Sequence, residues 1–334
     1  MFRSAHLEDS NLSELAFLST LKDFEVARDK IAKDAIETPV LSMKTKNSAL
    51  FIKPECLQSV GSFKIRAGSY ALENIQIGHL KNGLVTASAG NFGQGLAKAA
   101  LSRNISLKVI APDTSSKTKI KALELLGADV KIVNFDEWWR VMMTRNSHDK
   151  RLFIHPVSEL SVILGNGSIG LEVVKQLPKI ENIIVPFGGG GLISGIALAA
   201  RAAGFTGKII GCEIESSTPL TAAKKAGKPV KVERGKSWVD GIGSNGVLRE
   251  MWPLLDKLVD DVIVVSHSEA AVALRSVAKK LSLISEGAGA VAVAAGMHPR
   301  FSGTNTVSIL SGGNIDFSTY SSILNGKDYK EHIR

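Results

Sequence analysis

Three segments of the chain hold groups able to do chemistry together. Ser62-Phe63-Lys64-Ile65-Arg66 places one primary amine beside an aromatic ring. An amine in apolar company loses its proton more readily and becomes a nucleophile able to form a Schiff base. Ser88-Ala89-Gly90-Asn91-Phe92-Gly93-Gln94-Gly95 provides a polar loop that opens a helix. Pro186-Phe187-Gly188-Gly189-Gly190-Gly191-Leu192 provides bare backbone amides, which approach an anion closely. An amine, a loop for a carboxylate and a cradle for a phosphate suit chemistry on an amino acid.

Each segment needs elements to position it. Residues 84–88 read as a strand that runs into the second segment, and residues 92–101 as the helix after it. Residues 107–111 form a strand stopped by Pro112, residues 117–126 a helix closed by Gly127, and residues 130–133 a third strand. Residues 183–185 lead into the glycines, which a helix over 192–203 follows. Residues 208–212, 262–265 and 307–310 read as further strands. Alternating strand and helix predicts an α/β fold with mostly parallel sheet and helices on both faces. Residues 224–244 mix glycine and charge without period and read as a surface excursion. The first ~35 residues read as helical and polar, and are expected to pack on a partner subunit. Nothing after Asn314 is expected to form a separate regulatory domain.

Composition narrows the function classes. With 334 residues, 44% of them hydrophobic, the chain can bury one large core or two modest ones. Cys56 and Cys212 stand far apart beside apolar runs and predict a reducing compartment, not a disulfide framework. The N-terminus lacks the apolar core of a signal peptide, and no segment approaches the ~20 apolar residues of a membrane span. A cytoplasmic protein without a membrane partner is expected. The net charge of +9 comes from lysines scattered over Lys117, Lys119, Lys121, Lys224, Lys225, Lys228, Lys279 and Lys280, with no interleaved aromatics. That pattern argues against nucleic acid, while the positive field favours an anionic cofactor. His6, His79, His148, His155, His267 and His298 show no ligand spacing and are expected to be structural.

Each chemical reading has a plainer rival. Ser88 or Asn91 would serve as a helix cap. The four glycines would serve as a tight turn, and Ser311 as a turn residue after its strand. A dinucleotide site is a third reading, with Glu213 at the end of the next strand as the ribose-binding acid. Against it, Ile193 and Ser194 interrupt the glycine fingerprint. A complete G-x-G-x-x-G stands at Gly165-Asn166-Gly167-Ser168-Ile169-Gly170, yet no long strand precedes it and no strand-ending acid follows.

In their order, the three segments resemble the fold-type II pyridoxal-phosphate enzymes, in the branch of serine/threonine dehydratases and serine racemases. The likeness runs from about Thr38-Pro39-Val40 to Ser311-Gly312-Gly313-Asn314. It includes His155-Pro156, residues 165–172, Val239-Asp240-Gly241 and Glu286-Gly287-Ala288-Gly289. The resemblance implies a tryptophan synthase beta-like fold of two open, twisted, mostly parallel sheets. It implies a large cofactor domain of residues 1–77 and 158–334, with a small mobile domain of residues 78–157 inserted. It implies a glycine-rich helix start near Gly165. Pyridoxal 5'-phosphate would sit on Lys64 among Phe63, Asn91, Gly188, Gly189, Gly190, Gly191, Leu192, Glu286 and Ser311. Asn91 would face its ring oxygen and Ser311 its ring nitrogen. Ser88, Ala89, Gly90, Asn91, Phe92 and Gly241 would bind an amino-acid substrate.

The resemblance further implies β-elimination from a small β-hydroxy amino acid, by default L-threonine or L-serine. Lys64 would remove the Cα proton, and a 2-oxo acid and ammonia would be released. Racemases of this branch carry a second serine where Ala89 stands, and alanine cannot exchange a proton, so elimination is expected over racemization. β-Replacement synthases more often have threonine where Phe92 stands, and dehydratases histidine. Ala67-Gly68 reverses the family's usual Gly-Ala after the arginine. Metal-activated relatives hold a cation through a glutamate matching Glu213; here no aspartate follows, and a monovalent or divalent cation would be held weakly. A homodimer or higher homo-oligomer is expected.

Overall fold

A computed structural model describes residues 12–44, 49–73, 75–115 and 117–326. Two helices, α1 (Leu12–Phe17) and α2 (Leu21–Ile31), precede an antiparallel pair, β1 (Leu41–Lys44) and β2 (Ala49–Pro54), and helix α3 (Lys64–Glu73). An alternating run follows: β3 (Leu84–Thr86), α4 (Asn91–Leu101), β4 (Leu107–Pro112), α5 (Lys117–Leu125), β5 (Asp129–Val133), α6 (Phe135–Thr144) and β6 (Leu152–Phe153). The chain continues through α7 (Leu160–Gln176), β7 (Asn182–Pro186), α8 (Gly191–Ala202), β8 (Lys208–Ile214), α9 (Pro219–Ala226) and α10 (Trp252–Leu258). It closes with β9 (Asp261–Val265), α11 (His267–Leu281), α12 (Gly287–Gly296), β10 (Thr306–Leu310) and α13 (Phe317–Leu324).

The strands form two sheets. One has six strands in the order β1-β2-β10-β7-β8-β9, parallel except for β1. The other has four parallel strands in the order β5-β4-β3-β6. The central strands β7 and β10 are buried along their whole length. Such runs carry Ile and Val without alternation, because helices cover both faces of a parallel sheet. The strands that sequence pattern predicts are all present. The pair β1 and β2, which it does not predict, extends the large sheet.

Helix α7 corrects the expectation of a glycine-rich helix start. Gly165, Gly167 and Gly170 lie in its interior. A Cβ on Gly165 would stand 2.6 Å from the Arg66 carbonyl oxygen, and one on Gly170 2.5 Å from that of Ile196. The glycines let α3 and α8 approach the backbone of α7. Each costs about 1 kcal/mol of helix propensity, which the close packing offsets. The reversed Ala67-Gly68 leaves α3 intact and brings Gly68 against the backbone of Gly95 in α4.

Two further expectations are corrected. Phe24, Ala27 and Ile31 of α2 are buried, with Phe24 against Gly167 of α7, so one face of this segment, expected to be polar, packs on its own chain. Residues 1–11 and His6 lie outside the described residues. The excursion over residues 224–244 dips inward at Trp238 and Val239, which are 5% and 1% exposed. Their aromatic and branched side chains join the core of the large sheet. Among the described residues, no helix is long and apolar enough to cross a membrane.

Candidate active site

Lys64 is the first residue of α3, and backbone pairing fixes it. Ser62 bridges Gly312, the Phe63 N–H donates to the Ser311 carbonyl at 3.0 Å, and the Gly313 N–H donates to Gly61 at 2.8 Å. An isolated bridge and its two flanking hydrogen bonds therefore set the start of α3 beside Ser311. Behind Lys64 lies a buried network of four charges. Arg66 donates to both oxygens of Glu55 at 2.8 and 2.9 Å and to both of Glu172 at 2.5 and 2.8 Å. Lys53 contacts Glu172 at 2.6 Å, and donates to the Thr38 carbonyl at the same distance. Burial opposes ionisation of Glu55, but the Arg66 guanidinium outweighs it and holds the carboxyl below its usual range. For Lys53 burial wins over Glu172 and lowers the ammonium's pKa. The network ties β2, α3 and α7 together one turn from the amine.

Lys64 is itself half-buried, on the wall of a cavity. Its Nζ donates to the Pro156 carbonyl at 3.2 Å and lies 5.0 Å from the Phe63 ring and 5.4 Å from the Phe92 ring. His155 holds that carbonyl in place, because its Nδ1 accepts backbone N–H groups from Val157 at 3.1 Å and Ser158 at 2.9 Å. Burial lowers the His155 pKa to about 3, so the ring stays neutral and can accept. Burial also lowers the Lys64 pKa to about 8, against an opposing pull from Glu286.

A stability consequence follows for the cofactor-free protein. Below pH ~8 Lys64 is charged in both states, and burial penalises the folded one. As pH rises from about 8 towards 10.5 the folded state sheds the proton first, so that penalty disappears. Lys64→Met should therefore raise unfolding stability at pH 7, by up to about 3 kcal/mol. The gain should shrink between pH 8 and 10.5, as urea titrations of both proteins would measure. An equal gain at every pH would contradict the assigned cause.

The other predicted residues converge on the same space. A cavity of about 620 Å³ is lined by Phe63, Lys64, Ser88, Ala89, Gly90, Asn91, Phe92, Gly188, Gly189, Gly190, Gly191, Leu192, Gly241, Glu286 and Ser311. It lies beyond the carboxyl ends of β3, β7 and β10, where parallel sheets place ligands. Asn91 Nδ2 donates to Glu286 Oε1 and Oε2 at 2.8 and 3.0 Å, and Asn91 Oδ1 accepts from Asn314 Nδ2 at 2.9 Å. Burial raises the Glu286 pKa to about 7, aided by Asp240, while the Asn91 bond opposes the rise.

The glycine segment has the backbone of an anion cradle. Gly190 has φ +98°, a conformation open to glycine, and caps α8. A Cβ on Gly189 would fall 2.6 Å from Val157 Cγ2. The first amides of α8 have no acceptor within the helix, so unhindered donors and the positive helix end face the cavity. With the half-buried Lys64 amine, these groups fit a phosphorylated aldehyde such as pyridoxal phosphate.

Glu213 alone among the predicted residues lies elsewhere. Its carboxylate accepts from the Leu220 N–H at 2.6 Å, the Thr221 N–H at 2.9 Å and the Thr221 hydroxyl at 2.7 Å. It caps the start of α9 and stands apart from the cavity lining. Among the described residues, no group of three His, Cys, Asp or Glu side chains could hold a metal ion. Sequence reading missed Lys119 and Asp240, which pair across the cavity mouth from α5 and the 238–242 loop. It also missed Phe135, Trp138, Met142 and Trp238 in the cavity wall. The first three recur at i, i+3 and i+7, a helical face that was readable although its target was not.

Fold and site together define an enzyme that works on amino acids through a phosphate-bearing aldehyde. The chain belongs to the pyridoxal-phosphate dependent enzyme family, whose model matches residues 31–312. Within that family it is 32% identical over 313 residues to the L-threonine ammonia-lyase of Thermotoga maritima, covering 92% of this chain and 78% of that protein. It is 37% identical over 279 residues to the L-threonine ammonia-lyase of Geobacter sulfurreducens, covering 82% of this chain and 69% of that protein. The solved structure of maize serine racemase matches with a TM-score of 0.84 at 29% identity, over 92% of this chain and 97% of that one. The chain thus has the fold-type II architecture its motifs predict.

Proposed function

We propose that this chain is a pyridoxal-phosphate-dependent ammonia-lyase that eliminates the β-hydroxyl of an amino acid, giving a 2-oxo acid and ammonia. The observation that carries the reading is one cavity holding the Lys64 amine, the Ser88–Asn91 loop and the α8 cradle, with alanine at position 89. The L-threonine ammonia-lyases among its relatives support it. The glycine amides and Leu192 would hold the cofactor phosphate, Asn91 its ring oxygen and Ser311 its ring nitrogen, beside Phe63 and Glu286. When bound, the cofactor supplies an electron-withdrawing ring that makes the substrate Cα–H acidic.

The residues of the chain do the rest. Ser88, Gly90 and the N-terminus of α4 take the substrate carboxylate, with Ala89, Phe92 and Gly241 around the side chain. Lys64, whose burial favours the neutral amine, takes the Cα proton. The Ser311 hydroxyl, being neutral, would hold the ring nitrogen by a hydrogen bond without the carboxylate that keeps such a nitrogen protonated, which would suit loss of a β-substituent. We take residues 78–157, which contain the whole four-stranded sheet, as the mobile domain. A homodimer or higher homo-oligomer in the cytoplasm is the assigned setting; the free Cys56 and Cys212 and the 83% exposed Phe317 support it.

The racemase alternative is tested by products. With L-serine or L-threonine the cofactor-loaded protein should release 2-oxo acid and ammonia, with D-enantiomer formed at least ~10²-fold more slowly, because no proton donor replaces Ala89. Chiral chromatography beside a 2-oxo acid assay measures both. D-amino acid appearing faster than 2-oxo acid would overturn the reading.

A further inference from the structure

We infer that the site selects β-hydroxy amino acids whose β-carbon carries an apolar group of aromatic size. The inference rests on the ammonia-lyase reading and names its substrate class. One wall of the cavity is apolar. Phe92 is 2% exposed and its ring lies 5.4 Å from the Lys64 Nζ, so a substrate presenting Cα to that amine has its side chain within reach of the ring. Phe135, Trp138 and Met142 of α6 continue the wall, with Phe135 and Trp138 ring centroids 5.4 Å apart.

Trp138 and Met142 are seated in a small core with Val85, Ala87, Ile110, Val133 and Val141. Within residues 78–157 these side chains are seated and would move with that domain as one surface. The Trp138 indole N–H is buried without a hydrogen-bond partner among the described residues, so the ring is placed for packing. Beside the wall, a Cβ on Gly90 would meet nothing within 4 Å, and Ala89 adds only a methyl group. Space and apolar surface therefore coincide. The polar alternative, an acidic substituent, would need an available cation. Lys119 is held by Asp240, and Arg234, exposed at the mouth, would have to give up its hydration to take such a group. A ring on the β-carbon would also ease departure of the hydroxyl, because it stabilises charge at that carbon.

The test uses the pyridoxal-phosphate-loaded protein. kcat/KM for 2-oxo acid release from L-threo-3-phenylserine should exceed that from L-threonine by about tenfold or more, on the scale of apolar pocket discrimination. Binding separates packing from reactivity: L-phenylalanine, which lacks the leaving group, should quench tryptophan fluorescence at about tenfold lower concentration than L-2-aminobutyrate. Trp138→Ala should reduce the phenylserine-to-threonine kcat/KM ratio, and Trp138→Phe should restore most of it. Threonine turnover without phenylserine preference, together with equal binding of the two analogues, would overturn the inference and leave the lyase reading intact. Preferential L-phenylalanine binding without elimination from any substrate would support the wall and defeat the lyase reading. Neither preference nor elimination would defeat both.

Discussion

Lys64→Ala is expected to lower kcat/KM for elimination by at least about 10⁴-fold, because one substitution removes both the cofactor's attachment point and the general base. The amine is suited to both tasks by position. It opens α3, is anchored beside Ser311 by the Ser62–Gly312 bridge, and burial brings its pKa to about 8. The cavity has one competitor, Lys119, which Asp240 engages. Borohydride treatment of the loaded protein followed by peptide mapping distinguishes them. Cofactor fixed to the peptide containing Lys64 is the expected result, and cofactor on Lys119 would reverse the assignment. Substantial turnover by the alanine variant would do the same.

The second large effect is on stability. Arg66→Met should destabilise the protein by about 3–5 kcal/mol, because it leaves buried Glu55 with two neutral donors, Thr38 and Gln58, but no paired cation, and leaves Glu172 with Lys53 alone. Arg66→Lys should recover little, since an ammonium cannot fork to two carboxylates as a guanidinium does. Urea unfolding of the cofactor-free variants measures the loss. A change below about 1 kcal/mol would mean that the network contributes no more than a surface pair. The loss should reach the site as well, because the network holds the helix that Lys64 opens.

Much of this was legible in the sequence, and what was not has a physical pattern. Runs such as residues 183–185 and 307–310 announce their strands because nothing polar interrupts them. Strand β2 escaped because Lys53 and Pro54 end it, and a lysine reads as solvated until its partner is known. That partner, Glu172, is remote in sequence and meets it only through α7. Glu213 shows the same limit. A carboxylate after a strand reads alike as a cation ligand or as an acceptor for helix amides, and its capping of α9 depends on where that helix starts, at Pro219. The glycines of α7 resembled a phosphate loop because close helix packing and anion binding need the same missing side chain.

The order of the large sheet bears on how the chain comes to fold at all. Strand β10, residues 306–310, lies between β2, residues 49–54, and β7, residues 182–186. During synthesis the flanking strands emerge long before the one that joins them, and until it arrives each exposes an unpaired edge. The four-stranded sheet, by contrast, closes within residues 84–153. A ribosome would thus carry a nascent chain whose inserted sheet can pair while the sheet around it waits, and the waiting edges are where chaperones would be needed.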